Sequence, residues 1–280
     1  TDASAGHYSN GTITVNGVVE NATIQTACPE GTYQALTGQS SCDDAEAGYY
    51  SEGTVTVAGV TTEATSQIPC TLGQWQNETG QDSCKAADAG YYSEGTVGGI
   101  SVTVTSVASS QTPCAAGTYQ ASTTQGSCDI VSPGYYSNGT ITVNGVVENA
   151  TIQTACPEGT YQALTGQSSC DDAEAGYYSN GTITVNGVVE NATIQIPCTL
   201  GQWQNETGQT SCKNAEAGYY SPGTAAFSTT LGWANNATAQ IPCEAGTYQD
   251  ETGKDDCKQP SNGYYSPGTV GGLNVDSSVT

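Results

Sequence analysis

The twelve cysteines are the residues of this chain best suited to do chemistry. They fall in six pairs: Cys28/Cys42, Cys70/Cys84, Cys114/Cys128, Cys156/Cys170, Cys198/Cys212 and Cys243/Cys257. Within every pair the spacing is 14, whereas between pairs it varies from 28 to 31. A constant interval marks a constrained loop, so the spacing predicts six disulfides, each closed within its own pair. Closing a loop of this size stabilises a fold by roughly 3 kcal/mol, through entropy removed from the unfolded chain. The competing chemistry is zinc binding, which favours close C-x2–4-C spacing and supporting histidines. The chain has no C-x-x-C and a single histidine, His7. Disulfides are the expectation, and with them an oxidising, extracellular-type compartment.

Other side chains could carry function. Nine N-x-[ST] sequons occur, at Asn10, Asn21, Asn77, Asn138, Asn149, Asn180, Asn191, Asn205 and Asn236. Each marks a surface acceptor for asparagine-linked glycan in a secreted protein. The acidic stretches Asp43-Asp44-x-Glu46 and Asp171-Asp172-x-Glu174 are candidate calcium ligands, but no EF-hand spacing is present. Calcium is the one candidate cofactor, and none is expected as a requirement. Aromatic residues recur at Tyr33, Trp75, Tyr119, Tyr161, Trp203 and Tyr248. A ring needed once per unit is expected to pack against that unit's disulfide; a sugar-stacking platform is the alternative. His7 stands in a column otherwise filled by tyrosine, from Tyr49 to Tyr264, and reads as drift at a structural position. With one His and paired cysteines, neither a triad nor a Cys nucleophile can be assembled, so no catalytic residue is expected.

What positions these groups is a tandem repeat. The Gly of G-Y-Y-S (G-H-Y-S in the first copy) falls at Gly6, Gly48, Gly90, Gly134, Gly176, Gly218 and Gly263. Residues 1–5 read as the tail of a preceding unit. The repeats are then 6–47, 48–89, a divergent 90–133, 134–175, 176–217 and 218–262, with 263–280 opening a seventh. A longer period overlies this one: residues 8–51 reappear unchanged at 136–179, three units on. The chain has no Met and opens and closes inside a repeat, so it reads as part of a longer or processed polypeptide with no visible leader.

Within a unit, TITV-NG-VVEN sets Asn-Gly between β-branched runs, the preferred two-residue type I′ hairpin turn. Turns are expected at Asn16-Gly17, Ala58-Gly59, Asn144-Gly145 and Asn186-Gly187. This register pairs Val15 with Val18, Ile13 with Glu20 and Thr12 with Asn21. Alternation puts Ile13, Val15, Val18, Ala22 and Ile24 on one face. That face is expected to be buried against a neighbouring repeat or another strand, leaving Asn10 and Asn21 to look outward and carry glycan. The fold class is therefore all-β, a linear array of disulfide-stapled hairpin repeats of about 42 residues, with little or no helix. Leu, Ile, Val and Phe make only 38 of 280 residues. With so few apolar side chains, cross-links and neighbour stacking must replace a large core.

The phrase CPEGTYQALTGQSSC resembles the core of ephrin-receptor-like cysteine-rich repeats, related in pattern to tumour-necrosis-factor-receptor modules. Such repeats occur in extracellular and cell-surface proteins, including mastigoneme-like and microbial surface-filament proteins. The resemblance spans about 15 residues of each unit and implies an extracellular, rod-like array. Those families usually carry four or more Cys per module where this chain has two, and no ligand or catalytic site is implied.

Four Lys+Arg against 27 Asp+Glu give a formal net charge of −23. Such a chain repels nucleic acid and anionic membrane surfaces. No run of 18 apolar residues exists to cross a bilayer. The sequence reading is a secreted, glycosylated structural protein, self-assembling as the shaft of a surface filament or fibre. The alternative is an adhesive or receptor stalk displaying a binding domain elsewhere; an enzyme is not expected.

Overall fold

The computed structural model describes residues 1–16, 18–21, 24–96, 107–143, 146–224, 237–270 and 273–274. Among them every regular element is a β-strand, and every sheet has two strands. The first repeat makes three small antiparallel ladders. His7–Tyr8 pairs with Thr26–Ala27, the residues just before Cys28. The hairpin Thr12–Val15 with Val18–Asn21 is inserted between those two strands. Thr32–Tyr33 then pairs with Asp43–Asp44, which follows Cys42. The Cys28–Cys42 disulfide thus staples the first ladder to the third.

The same staple recurs in each later repeat, as Cys70–Cys84, Cys114–Cys128, Cys156–Cys170, Cys198–Cys212 and Cys243–Cys257. All six pairings are those the constant spacing predicts, and no cysteine is free. The two ends of a bridge are not equivalent. The first cysteine of each pair is buried, at 0–4% exposure. The second, at Cys42, Cys84, Cys128, Cys170, Cys212 and Cys257, is only half-buried. Spacing names the partners of a bridge but not its depth, which depends on where the neighbouring repeat lies.

The hairpin register is the one the turn dictates: Val15 opposite Val18, Ile13 opposite Glu20, Thr12 opposite Asn21. At the turns Ala58 and Asn186 have φ 51°, followed by Gly59 at 84° and Gly187 at 80°. Two successive positive φ values are what a type I′ turn requires, and Ala58 accepts one without glycine's freedom. Gly17 and Asn144-Gly145 lie outside the described residues.

The core differs from the expected one. Its fully buried side chains are the first Cys of each pair, an Ala column (Ala45, Ala87, Ala173, Ala215, with Val131 in the third repeat), a Gln column and a Ser column. Among the described residues the arms of the second and fifth hairpins bury little: Val57 and Val60 are each 70% exposed, and Val188 is 64% exposed. Ile24, assigned to the covered face, is 69% exposed, which corrects that expectation. The side chains of Ile13, Val15 and Val18, and residue Ala22, lie outside the described set. The physical reason is that parity fixes which residues share a face but not what covers it. Among the described residues it is the hairpin's foot that is covered, where Ala64, Ala150 and Ala192 are buried.

Two compact units are present, Thr1–Asp129 with Gly139–Ile152, and Ile130–Asn138 with Gln153–Thr280. The fourth hairpin belongs to the first unit although its repeat belongs to the second.

Candidate functional site

Where repeats meet, the contact is made of main chain. In the first unit, Gly31 N–H donates to Ser51 C=O at 2.7 Å, Gln34 N–H to Ala64 C=O at 2.8 Å and Gly80 N–H to Ala45 C=O at 2.8 Å. Thr54 N–H donates to Cys28 C=O at 2.8 Å. Two hydroxyls complete the set: Ser51 Oγ donates to Thr32 C=O and Thr54 Oγ1 to Gly6 C=O, both at 2.7 Å. The next junction repeats every bond, from Gly73 to Ser93, Gln76 to Ala108, Thr124 to Ala87, Thr96 to Cys70, Ser93 to Gln74 and Thr96 to Gly48. The second unit reproduces the pattern twice, beginning from Gly159 to Ser179 and from Gly201 to Ser221.

Close main-chain approach explains the residue types. A Cβ on Gly73 would stand 2.2 Å from Thr124 C=O, and one on Gly31 would stand 2.1 Å from Gly80 C=O. Only glycine fits, and both glycines also have φ near +80°. Behind the junction, buried Gln34 braces the disulfide loop. Its Nε2 donates to Ser41 C=O at 3.1 Å and its Oε1 accepts from Leu36 N–H at 3.0 Å. Gln76, Gln120, Gln162, Gln204 and Gln249 make the same pair of bonds. The loops so braced are the ones closed at Cys84, Cys128, Cys170, Cys212 and Cys257. Buried amides cost little when both ends are bonded. These Gln and Ser columns were not singled out in the sequence. The available signal was their recurrence in every unit.

The acidic links are engaged with the array. Glu46 N–H donates to Gln67 Oε1 at 2.7 Å, and Gln67 Nε2 donates back to Glu46 Oε2 at 3.2 Å. Gln195 does the same to Glu174. Among the described residues no group of three or more Asp, Glu, His or Cys is arranged to hold a metal ion. His7 Nδ1 lies 3.2 Å from Glu63 Oε2 and 3.3 Å from Ser4 Oγ. Both partners share one ring nitrogen, so this is not the relay in which an imidazole has an acid on one nitrogen and a nucleophile on the other.

The aromatic column sits on the third ladder. Tyr33 faces Asp43 across the strands, and burial, with Glu46 and Asp43 nearby, raises its phenol pKa. Burial, then Asp171 and Glu174, does the same at Tyr161. In the second and fifth repeats the pair is Trp75 with Lys85 and Trp203 with Lys213. The ammonium groups lie 5.3 and 5.2 Å from the ring centroids, within cation–π range. Trp75 Nε1 and Trp203 Nε1 are buried without an acceptor. In the sixth repeat Lys258 bonds Asp250 and Glu251 instead. Hydrogen bonds from Lys254 and Lys258 bring Glu251 down to about 2.

Of the sequon asparagines, Asn10, Asn77, Asn138, Asn180, Asn191 and Asn205 are exposed and Asn149 is half-buried. The Asn21 side chain and Asn236 lie outside the described set. A shallow groove of about 160 Å³ at the foot of the fifth hairpin is lined by Asn180, Asn191, Ile183, Ile194 and Ile196 among others.

No protein-family model matches the chain. A search of curated proteins likewise finds no match. No helix among the described residues is long and apolar enough to cross a membrane.

Proposed function

We propose that this chain is a structural protein forming the shaft of an extracellular, glycosylated surface filament, and that its likeness to ephrin-receptor-type repeats reflects that role. A repetitive, disulfide-stapled hairpin array fits an extracellular structural or stalk protein, because such cross-links persist only where thiols are oxidised. The observation that carries the finer reading is the reuse of one hydrogen-bond set at four junctions. Junctions built on main chain let units be added or duplicated without new recognition chemistry. Exposed acceptor asparagines supply places for glycan, and the excess of carboxylates supplies a hydrated, self-repelling exterior. Copies of the same chain are the proposed partners, and catalysis is not part of this proposal.

Electron microscopy of native secreted material, together with glycopeptide mapping, tests it. Long filaments with sugar on several of the nine asparagines are expected. Isolated short rods with bare asparagines would leave the second reading, an adhesive or receptor stalk. The exposed valines of the hairpin arms, Val57, Val60, Val188 and Val189, are the observation that favours it.

A further inference from the structure

In the six complete repeats the aromatic of the third ladder is Tyr four times and Trp twice. Only the two Trp repeats carry an acceptor asparagine two residues later: Trp75 with Asn77, and Trp203 with Asn205. The same two repeats place Lys opposite the ring; the sixth repeat also sets Lys258 opposite Tyr248, but there the residue two after the ring is Asp250, which cannot accept glycan. Tyr178 also precedes Asn180 by two, but a Tyr stands there whatever follows, as with Tyr50 before Glu52 and Tyr220 before Pro222.

The geometry brings these three groups together. Gln76 between them is buried, while Trp75 and Asn77 both meet Lys85, which puts them on the same side. Lys85 Nζ donates to Asn77 Oδ1 at 2.7 Å, and Lys213 Nζ donates to Asn205 Oδ1 at 2.8 Å. An ammonium can only donate, so the amide oxygen is the atom turned toward it. The amide nitrogen, Nδ2, is left as the outward group of an exposed side chain. Each indole has its Nε1 edge buried and the Lys ammonium over its ring at 5.3 or 5.2 Å from the centroid, and each is half-buried overall, so the part left open beside the Lys is what a sugar can meet.

We propose that Asn77 and Asn205 carry N-glycans whose first N-acetylhexosamine lies against the indole of Trp75 or Trp203, making the sugar part of the folded unit. The inference rests on the glycosylation reading above and adds a structural role at these two positions. In the transfer step Nδ2 attacks the anomeric carbon of a polyprenyl-pyrophosphate-linked oligosaccharide. A C–N bond forms, the bond from that carbon to the phosphate oxygen breaks, Nδ2 loses one proton, and the polyprenyl pyrophosphate leaves. A pyranose presents an apolar C–H face, and an indole is the largest apolar ring available to cover it. The Lys keeps its bond to the amide oxygen, which is retained on glycosylation, and so orients the linkage.

The test uses the full secreted chain with Trp233→Phe, so that fluorescence reports Trp75 and Trp203. Mass spectrometry reads site occupancy, acrylamide quenching reads ring exposure, and hydrogen exchange reads residues 70–84 and 198–212. With both sites occupied, N77Q/N205Q should raise the quenching constant by about twofold and speed exchange in those loops by about fivefold. The N149Q/N191Q variant, whose asparagines follow valines by two, should leave both unchanged. Enzymatic trimming to a single sugar should also leave both unchanged, because only that sugar meets the ring. The proposal is overturned if Asn77 and Asn205 are bare while other asparagines are glycosylated, or if both are occupied and N77Q/N205Q changes neither readout. Bare asparagines throughout would overturn the glycosylation reading itself, and this inference with it.

Discussion

Reducing the chain under tension separates a stapled array from an ordinary one. Each disulfide closes a 14-residue separation across a Cα–Cα distance of 5.7–5.9 Å. The same 14 residues, freed and pulled straight at about 3.5 Å each, span about 49 Å. Reduction should therefore lengthen every unfolding step by about 43 Å, or about 260 Å over the six closed loops. The folded rise of a repeat cancels in this difference, so the figure depends only on which cysteines are joined. The assay is single-molecule force–extension on a chain held by its two ends, with and without a thiol reductant. An unchanged step would mean that the loops are not closed. An increase of about 92 Å per bridge would mean that cysteines 28 apart, such as Cys42 and Cys70, are joined across repeats. Either outcome refutes the stapled unit. Folding should weaken as well, by roughly 3 kcal/mol per bridge.

Three further outcomes follow from the same geometry. Gly73→Ala sets a methyl 2.2 Å from the main chain of the next repeat, whereas Gly59→Ala, at a similar φ, meets nothing within 4 Å. Both substitutions carry the roughly 1–2 kcal/mol cost of a left-handed alanine, so Gly73→Ala should cost at least ~2 kcal/mol more and speed hydrogen exchange only around its own junction. Gln76→Ala removes both braces of a 2%-exposed amide and leaves a hole. Denaturant unfolding should show a loss of about 3 kcal/mol, and Gln76→Leu should recover little of it, because the Ser83 C=O and Glu78 N–H stay unpaired. Finally, Tyr33 is raised by burial and then by Glu46 and Asp43. The native state thus holds a proton that the unfolded chain releases near the ordinary phenol value of 10.0, and stability falls as pH rises through and above that value. Absorbance titration should show Asp43→Asn moving the phenol back toward its ordinary range; no movement would mean that the carboxylate contributes nothing.

Several features were legible because covalent or dihedral rules fix them locally. The 14-residue cysteine interval names a loop wherever the loop sits, and Ala58-Gly59 in register with Asn186-Gly187 names a turn. The fate of the hairpin was not legible from its own residues. Its alternation describes two faces, but the covering partner is set by how closely the neighbouring main chain approaches. That approach is governed by Gly31, Gly53 and Gly73, which have no side chain to advertise it. The core was hidden for a related reason. Hydrophobic patterning looks for Ile and Val, whereas this interior is built from Cys, Ala and bonded Gln and Ser. Exposed Leu36, Leu72, Leu164 and Leu200 show that apolar character was a poor guide to burial.

The uneven period of the repeat has a structural explanation at the hairpin foot. Ala64 N–H donates to Thr54 Oγ1 at 3.0 Å across ten residues, and Ala192 N–H does so to Thr182 Oγ1 at 3.1 Å across the same interval. In the third repeat Ala108 N–H closes onto Thr96 Oγ1 at 3.0 Å across twelve residues, and in the sixth Ala237 closes onto Thr224 at 3.0 Å across thirteen. The long repeats, with glycine spacings of 44 and 45 against 42, exceed the others by two and three residues. Those are the excesses within the clamp, so in these four repeats the length variation lies between a Thr and an Ala whose bond does not change; in the fourth repeat Ala150 N–H donates to Gly139 C=O. At the four junctions within the two compact units the remaining residues meet a neighbour's main chain through fixed hydrogen bonds, and an insertion there would shift glycines such as Gly73 out of register. The array is therefore divided into a framework that must repeat and an arm that need not. Divergence at residues 97–106 and 225–236 is what that division permits, since it falls between a Thr and an Ala whose bond is kept.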